Sequence, residues 1–368
     1  MDFKFDLPVD IRFGSGIVKA SADALAALGK RAYVVTGANS GRRSGALSDV
    51  MEALAAAGVA AEVFEGIGNN PEVEQCRELG LKAREFGAEF IVGIGGGSPM
   101  DAAKAVAAFA ANPDMTPAEL LKCAFGSSIL PVAAVLTTSG TGSEATPWSI
   151  MTWHEVRTKR SFGNHYTFPR LALLDPGYTN GLPLTITRHT AMDAFQHAFE
   201  SVMSHKSSPF TDALNYEALR RFAACMEKLE SGNVDGIRGE LMLISLMAGV
   251  TIAHTGTTTL HSLGYPLTYF EGLAHGHANS VMMPAYLDEL KQYEPERLDR
   301  ALSAMGMSFE ELRGYIRRNY PMPREIAPDE EMLALWAEQT SQQGAVKNVD
   351  IPRDPAYLAG IYKRALAE

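Results

Sequence analysis

Cysteine is scarce in this 368-residue chain, and the three that occur, Cys76, Cys123 and Cys225, lie far apart. An odd, dispersed set offers no disulfide framework and no CxxC pair, so a reducing compartment is expected. The first ten residues, MDFKFDLPVD, also lack the apolar core of a secretory signal. The sequence therefore predicts a cytoplasmic protein.

Positive charge is also in short supply, with 33 Lys and Arg against 43 Asp and Glu. The net charge is −10 and no long basic run occurs, so neither nucleic acid nor an anionic membrane is an expected partner. The longest apolar run, residues 241–252, is too short to span a bilayer and indicates a buried helix. A hydrophobic content of 46% still permits a sizeable core, and the length suggests two domains.

The first half of the chain alternates apolar runs with helical patterns. Strands are predicted at residues 31–36, 59–64, 90–94, 130–136, 148–152 and 170–175, and helices at 46–57 and 72–85. Strands that alternate with helices imply a parallel sheet with right-handed crossovers. Residues 37–45, GANSGRRSG, are predicted to form a turn-rich loop.

The second half is helical almost throughout, with predicted helices at residues 185–203, 208–226 and 234–253. Pro266 is expected to end or kink its segment, and His275 to open a further helix. The predicted fold is an α/β Rossmann-like domain, residues 1–180, followed by an all-α domain, residues 181–368.

The GxGxxG fingerprint of dinucleotide-binding proteins is absent, but a glycine-rich turn follows the third predicted strand. In this turn, GGGSPMD, Ser98 is the predicted N-cap, Pro99 the first helical residue and Asp101 the third residue after the cap. Free N–H groups at such a helix start bind phosphate, although a tight turn that binds nothing is the alternative. Residues 137–144, TTSGTGSE, offer further donors to a phosphate or ribose, or form a plain flexible loop.

A cluster of histidines lies in the stretch GTTTLHSLGYPLTYFEGLAHGHA, which glycines and a proline interrupt. Earlier, Asp193 and His197 are four residues apart, so on a helix they share one face. Each histidine alone would be an ordinary core or surface residue. Together the residues make an Asp/His₃ set that suits a divalent metal with an open position, namely Asp193, His197, His261 and His275.

Four motifs resemble the iron-containing (group III) alcohol dehydrogenase family, and in particular its 1,3-propanediol-dehydrogenase-like subgroup. They are GGGSPMDAAK at 95–104, TTSGTGSEAT at 137–146, MDAFQHAFE at 192–200, and HSLGYPL with HGHAN at 261–267 and 275–279. The resemblance implies the dehydroquinate synthase-like fold, with an active site in the cleft between a nucleotide domain and a helical domain. It also implies that the Asp/His₃ set binds Fe²⁺, although the ligand types alone would suit Zn²⁺ or Ni²⁺.

The resemblance further implies reversible hydride transfer between a small primary alcohol or aldehyde and a nicotinamide cofactor, with the metal as a Lewis acid. Assembly as a homodimer is compatible with this expectation. The predicted cofactor-binding residues are Gly37, Ser40, Asn70, Gly95, Gly96, Gly97, Ser98, Pro99, Asp101, Thr137, Thr138, Thr141, Ser143 and Lys159.

Other enzyme classes share parts of this pattern. A dehydroquinate-synthase-like lyase would have the same architecture, but its polyanionic substrate calls for several Arg or Lys near the ligands. Residues 185–204 and 254–280 contain only Arg188, which favours a small neutral substrate. A metal-dependent hydrolase would need no nicotinamide, and a non-catalytic nucleotide-binding protein would leave the Asp/His₃ set unexplained.

The sequence departs from the family pattern near the third histidine ligand, where Tyr265 replaces a histidine found in many members. A tyrosine with an ordinary pKa of about 10 is a poor acid near neutrality. We therefore predict that Tyr265 packs against the nicotinamide while water or His277 relays the proton, with catalysis by Tyr265 as the alternative. His277 should line the cleft, and His254 should line the cleft or lie in the core.

A second departure concerns the cofactor. Many NAD-using members have an aspartate where this chain has Gly37, and such a carboxylate binds the ribose hydroxyls and repels a 2′-phosphate. Arg42 and Arg43 follow in the same loop and can pair with a phosphate, unless they are simply solvated. The sequence thus predicts NADP(H) ahead of NAD(H).

Overall fold

The computed structural model describes residues 2–367, with the side chain of Val156 left aside. These residues form two compact units. One is the α/β unit, Asp6–Pro183, and the other is the helical unit, which begins at Leu184 and includes the residues before Asp6.

The α/β unit is built on a six-stranded parallel sheet with the strand order β1-β8-β5-β4-β2-β3. Two further strands, β6 and β7, pair antiparallel in a separate hairpin. The strands are β1 (Asp10–Phe13), β2 (Arg31–Gly37), β3 (Ala60–Ile67), β4 (Phe90–Gly95), β5 (Val132–Leu136), β6 (Ser149–Trp153), β7 (Thr158–Phe162) and β8 (Leu171–Leu174).

Six helices belong to the same unit: α1 (Ala22–Ala26), α2 (Ser40–Ser44), α3 (Ala46–Ala56), α4 (Val73–Phe86), α5 (Gly97–Ala111) and α6 (Pro117–Leu121). The interior strands β4 and β5 are buried along their whole length, as expected of parallel strands covered on both faces. Alanine-rich α5 is also almost entirely buried, because small side chains let a helix approach its neighbours closely.

Several details of the first half differ from the sequence predictions. Strand β1 was not predicted, because four residues carry too little periodicity. The segment predicted at 148–152 pairs with β7 in the hairpin and does not extend the parallel sheet. Part of the predicted loop 37–45 is the short helix α2, in which Gly41 packs against the Thr36 side chain.

The helical unit has no strand among its described residues. Its helices are α7 (Leu184–Met203), α8 (Pro209–Ser231), α9 (Arg238–Thr255), α10 (Thr259–Phe270), α11 (His275–Tyr293), α12 (Pro295–Met305), α13 (Phe309–Asn319), α14 (Glu330–Ser341) and α15 (Pro355–Ala367). Large buried side chains such as Phe195, Phe222, Tyr286 and Trp336 share one core.

Two predicted features of this unit can be compared directly with the structure. Helix α11 begins at His275, as predicted. Pro266 lies inside α10 and does not end it. The segment Asp235–Thr255 could cross a membrane by length and composition alone, but 61% of its apolar window is buried, and a core helix passes the same test.

Candidate metal and nucleotide sites

Three helices of the helical unit bring the predicted metal ligands together. Helix α7 carries Asp193 and His197 one turn apart, α10 carries His261 near its start, and α11 opens with His275. The close approach of α11 to α7 depends on Gly276, where a Cβ atom would overlap the carbonyl oxygen of His189. Gly264 similarly leaves room for the side chain of Asn279 on α11.

The ligand atoms of Asp193, His261 and His275 all lie within 4.8 Å of one another. Asp193 Oδ1 is 3.5 Å from His261 Nε2 and 3.9 Å from His275 Nε2. The ring of His197 stacks on that of His261, with centroids 4.6 Å apart. Three of the four predicted ligands therefore have their ligand atoms close together in the helical unit, and His197 packs beside them through its stacked ring.

Two of these atoms test whether a cation fits. Asp193 Oδ1 and His261 Nε2 are fully buried, and neither has a hydrogen-bond partner among the described residues. Buried polar groups are normally satisfied, so an oxygen and a nitrogen that face each other at 3.5 Å without a hydrogen bond suit a cation between them. The carboxylate and imidazole donors suit Fe²⁺ or Zn²⁺, so the residues fit the metal.

Glu200 completes this arrangement, although its role was not predicted from the sequence. It lies on α7 beyond His197 and accepts a hydrogen bond from Nδ1 of His261. Its other oxygen accepts from the backbone N–H and the hydroxyl of Thr258, at 2.8 and 2.6 Å. The spacing Asp193, His197, Glu200 on one helix face was the available signal.

Charges within the cluster stabilise one another. Burial opposes ionisation of Asp193, but the neighbouring histidines outweigh burial and hold its pKa below the ordinary value. Burial likewise opposes the charge of His261, while Glu200 and Asp193 raise its pKa to about 9. Glu200 is also buried, and its pKa is lowered by the charge and hydrogen bond of His261.

The other singled-out side chains of this unit lie around the cluster. Tyr265 stacks on His275, with ring centroids 5.6 Å apart and planes 19° apart. His277 stacks on His189 at 4.8 Å, and its Nε2 is 3.3 Å from the carbonyl oxygen of Pro321. His254 contacts the N-terminal residues, with its ring stacked on that of Phe5 at 4.1 Å.

In the α/β unit, the glycine-rich turn joins β4 to α5. The N-cap of α5 is Gly96, two residues earlier than the predicted Ser98, because Gly97 and Ser98 already have helical conformation. The hydroxyl of Ser98 instead donates to the carbonyl oxygen of Asn69. The prediction that Ser98 caps α5 was wrong.

The hydroxyl-rich loop after β5 packs directly on this turn. A Cβ atom at Gly96 would lie 2.9 Å from Thr138 Oγ1, and one at Gly97 would lie 2.6 Å from Thr141 Cγ2. The backbone of Thr137 donates to the carbonyl oxygen of Gly95 at 2.9 Å. The glycines thus permit two loops to lie together beside the start of a 15-residue helix.

Behind these loops lies a buried polar network. Ser143 donates to Asp101 at 2.6 Å, and Lys104 Nζ donates to the Ser143 hydroxyl at 2.7 Å and to the Trp148 carbonyl oxygen at 2.6 Å. Asp101 also accepts from the backbone N–H of Ile150. Asp101 and Ser143 therefore connect α5 to the following loop and the hairpin.

The remaining predicted cofactor residues lie near the carboxyl ends of β2 and β3 and on the hairpin. Gly37 ends β2, where a Cβ atom would lie 2.7 Å from Ser40 Oγ. Arg42 forms two 2.6 Å hydrogen bonds with Glu65, a partner that the sequence analysis did not identify. On the hairpin strand β7, Lys159 Nζ lies 3.2 Å from Asn70 Oδ1.

Residues 8–176 match the profile of iron-containing alcohol dehydrogenases, and residues 187–333 match the C-terminal profile of the Fe-containing alcohol dehydrogenase family. The chain belongs to the iron-containing alcohol dehydrogenase family. Membership implies iron and a nicotinamide cofactor, and it makes the protein a metal-dependent oxidoreductase that acts on alcohols and aldehydes.

Individual members of the family show how close the likeness is. The NADPH-dependent butanol dehydrogenase of Clostridium saccharobutylicum is 30% identical over 316 residues, 84% of this chain and 80% of that protein. The crystal structure of an iron-containing alcohol dehydrogenase from Thermotoga maritima is 35% identical and covers 100% of both chains, with a TM-score of 0.93. A sulfoacetaldehyde reductase from Bifidobacterium kashiwanohense, in complex with NAD⁺, is 25% identical over 100% of this chain and 99% of its own, with a TM-score of 0.87.

Proposed function

We propose that this iron-containing alcohol dehydrogenase holds one Fe²⁺ through Asp193, His197, His261 and His275, and interconverts small neutral alcohols and aldehydes with NADP(H). The observation that carries the metal site is the pair of buried, unsatisfied atoms, Asp193 Oδ1 and His261 Nε2. When bound, the metal supplies Lewis-acid chemistry that polarises the substrate oxygen. The other contributions come from the residues of the chain.

The side chains around the ligands orient the histidines and limit the access of water. Glu200 fixes the ring of His261 from behind, and Tyr265 stacks on the ring of His275. Asp193 and His261 are almost completely buried, while His275 keeps 27% of its side chain exposed. We infer that a substrate approaches the cluster from the side of His275.

The hydrogen bonds of Arg188 favour a small neutral substrate. Arg188 is the only Lys or Arg within residues 185–204 and 254–280. Its guanidinium donates to the carbonyl oxygens of Leu229 and Glu230 at 2.7 Å each, and this engagement leaves it poorly suited to bind an anionic substrate. We therefore favour a primary alcohol, or the corresponding aldehyde, without an acidic group.

For proton exchange, we propose that Tyr265 packs in the site while water or His277 carries the proton. Burial lowers the pKa of His277, and the Pro321 carbonyl opposes this only in part. A neutral imidazole near pH 7 can accept a proton, as a relay requires. Tyr265 has its ring against His275, a position that suits packing.

The nucleotide is assigned to the α/β unit. We propose that its phosphates lie at the start of α5, bound by residues 95–99 together with Thr137, Thr138 and Thr141. The glycines let the threonine loop lie against this helix start, and helix starts favour phosphate. Asp101 and Ser143 would hold the loops, and Asn70 and Lys159 would contribute from the neighbouring loop and β7.

The proposed preference for NADP(H) depends on the loop that follows β2. Gly37 provides no carboxylate to repel a 2′-phosphate, and Ser40 and Arg42 follow it. The butanol dehydrogenase relative is NADPH-dependent, whereas the sulfoacetaldehyde reductase binds NAD⁺. The Glu65–Arg42 pair provides a direct test, because Glu65 already neutralises the arginine that would bind the phosphate.

The metal assignment is tested by replacing His261 and, separately, His275 with alanine. After reconstitution with Fe²⁺ or Zn²⁺, each variant should lose stoichiometric metal by elemental analysis and lose alcohol oxidation, while its α/β unit still binds nucleotide. The matched control is His165→Ala, at an exposed histidine of the α/β unit. Retention of one metal ion per chain by either ligand variant would refute the assignment.

The cofactor assignment is tested by kcat/KM for NADPH and NADH in Glu65→Gln and Arg42→Ala. Release of Arg42 in Glu65→Gln should raise the NADPH preference by roughly threefold, whereas Arg42→Ala should lower it by about tenfold. Gly37→Asp should also lose NADPH, but a Cβ at this position crowds Ser40, so the variant is combined with Ser40→Ala. A wild-type enzyme that prefers NADH would contradict the proposal.

A further inference from the structure

Glu200 is completely buried in the helical unit, and it is not one of the four metal ligands proposed above. One carboxylate oxygen faces Nδ1 of His261. The other accepts hydrogen bonds from the backbone N–H of Thr258 at 2.8 Å, from its hydroxyl at 2.6 Å, and from the backbone N–H of His261 at 3.3 Å. A buried carboxylate with this many donors is held in one orientation.

We propose that Glu200 is a positioning residue for metal binding, which fixes the tautomer of His261 and supplies the second negative charge of the site. The proposal rests on the metal site assigned above. It differs from the ligand assignment in that Glu200 acts only through the imidazole and never contacts the metal.

The tautomer follows from hydrogen-bond chemistry. A carboxylate can only accept, so Nδ1 of His261 must carry the proton that it donates to Glu200. In a neutral ring the other nitrogen, Nε2, then has a free lone pair, and Nε2 is the atom 3.5 Å from Asp193 Oδ1. Glu200 thus directs the lone pair of His261 towards the metal position.

The charge follows from counting the buried ionisable groups. A divalent ion brings two positive charges into a region where Asp193 and Glu200 are both buried and provide two negative charges. Burying an uncompensated charge is costly, so matched charges permit the ion to bind in a dry site. Without Glu200, the neutral histidines and Asp193 would leave one positive charge uncompensated.

Glu200→Gln is the informative substitution, because glutamine has the shape of glutamate but has an NH₂ donor group in place of one carboxylate oxygen. Its Oε1 must face the backbone N–H of Thr258, since that group can only donate. Its amide NH₂ then faces Nδ1 of His261 and forces that nitrogen to accept. The proton moves to Nε2, the nitrogen that should bind the metal.

The experiment measures the affinity of the full-length protein for Zn²⁺, by competition with a chromogenic chelator. Loss of a partner to a metal-ligating histidine typically lowers metal affinity by 10–100-fold, and we expect a loss in this range for Glu200→Gln. Glu200→Asp, which keeps the charge, should recover part of the affinity. The control is Glu289→Gln, a buried glutamate of the same unit that bonds Tyr357 and Arg364.

A spectroscopic readout separates positioning from general destabilisation. In the metal-free protein at a pH above 9, where the wild-type His261 ring is neutral, ¹⁵N NMR of the imidazole should place the proton on Nδ1. In Glu200→Gln the proton should lie on Nε2, and His261→Ala assigns the signal. An unchanged tautomer, or unchanged zinc affinity, in a folded Glu200→Gln protein would overturn the inference. If His261→Ala itself retains the metal, the proposed metal site fails instead.

Discussion

Two pairs of buried carboxylates differ in their electrostatics, Asp193 with Glu200 in the helical unit and Asp101 with Glu144 in the α/β unit. In the helical unit, the pKa values of Asp193 and Glu200 are lowered because histidine charges outweigh the effect of burial. In the α/β unit, burial raises the pKa of Asp101, and it raises that of Glu144 to about 7. The helical pair is therefore held charged, whereas Glu144 titrates near neutral pH.

The difference agrees with the proposed ion site in the helical unit and with a network that connects loops in the α/β unit. The helical cluster leaves Asp193 Oδ1 and His261 Nε2 facing each other without hydrogen-bond partners among the described residues. In the α/β unit, Asp101 is satisfied by Ser143 and Ile150, and Lys104 is satisfied by neighbouring oxygens. Both oxygens of Glu144 lack hydrogen-bond partners among the described residues, but its raised pKa favours the uncharged form. There the proposed nucleotide site is the partly buried backbone at the start of α5, and the buried polar network holds the loops beside it.

The largest effect is expected from a variant that prevents the close packing of α11 against α7. Gly276→Ala places a methyl group against the carbonyl oxygen of His189 and near the Cβ atom of Asp193, so the two helices must separate. We expect the helical unit to lose about 3 kcal/mol of unfolding free energy, measured in denaturant, and most of its metal affinity.

The control for this variant is Gly236→Ala, because a Cβ atom there meets nothing within 4 Å. Nucleotide binding by the α/β unit should be unchanged in both proteins. If Gly276→Ala binds metal as the wild type does, the close helix contact is not what positions His275.

Residues of unusual chemical type could be predicted from the sequence, but the residues that hydrogen-bond to them were missed. Histidines, an aspartate and consecutive glycines stand out by type and spacing, so the ligand set and the glycine-rich turn could be named. Glu65 could not, and Glu200 was missed despite its spacing from His197, since a glutamate on a helix or strand is ordinarily a solvated residue. Their roles depend on Thr258 and Arg42, which approach them only in the folded chain.

The same limit applies to the fold. Long strands and helices were predicted because each repeats its pattern over several residues, as in β4 and α7. Strand β1 and helix α2 are too short to show a period. The cap of α5 shifted to Gly96 because packing on the threonine loop, and not the local capping preference of Ser98, decides where this helix begins.

The second prediction sharpens the contrast between the carboxylate pairs through pH. The pKa of folded Glu144 is raised to about 7 from its ordinary value of 4.5, so the folded state binds the proton more tightly than the unfolded state. Stability contributed by the protonated group is present below about 4.5 and is lost as pH rises towards 7. Glu144→Gln remains neutral and should lose nothing over this interval.

The unfolding free energy of Glu144→Gln minus that of the wild type should therefore increase by up to about 3 kcal/mol between pH 4.5 and pH 8. Unfolding in denaturant at both pH values measures this change, and Glu155→Gln at an exposed position is the control. Burial also lowers the pKa of Lys104 to about 8, so both pH values lie at or below its titration in the folded state. Parallel pH curves for variant and wild type would contradict the prediction.

The third prediction concerns the proposed nucleotide site at the start of α5. Gly97→Ala brings a methyl group within 2.6 Å of Thr141 Cγ2, which displaces the threonine loop from the start of α5. Nucleotide affinity, measured by fluorescence titration with NADPH, should fall by about tenfold, or 1.4 kcal/mol. Metal content should stay at the wild-type level.

Gly181→Ala is the matched control in the α/β unit, since a Cβ atom at that glycine meets nothing within 4 Å. Metal loss in Gly97→Ala would mean that the two sites are not independent. Unchanged NADPH affinity would instead remove the glycine-rich turn from the nucleotide site.

The smallest effect is expected at Tyr265, whose proposed role is packing. Its ring is stacked on His275 with centroids 5.6 Å apart, and phenylalanine presents the same ring. Tyr265→Phe should keep kcat within about threefold of the wild type, because a tyrosine with a pKa near 10 contributes little as an acid at neutral pH. His277→Ala, in contrast, should change the pH dependence of kcat if that imidazole relays the proton. A Tyr265→Phe enzyme that binds metal and cofactor normally but does not turn over would make the hydroxyl catalytic, and the stacked ring would then serve to aim it.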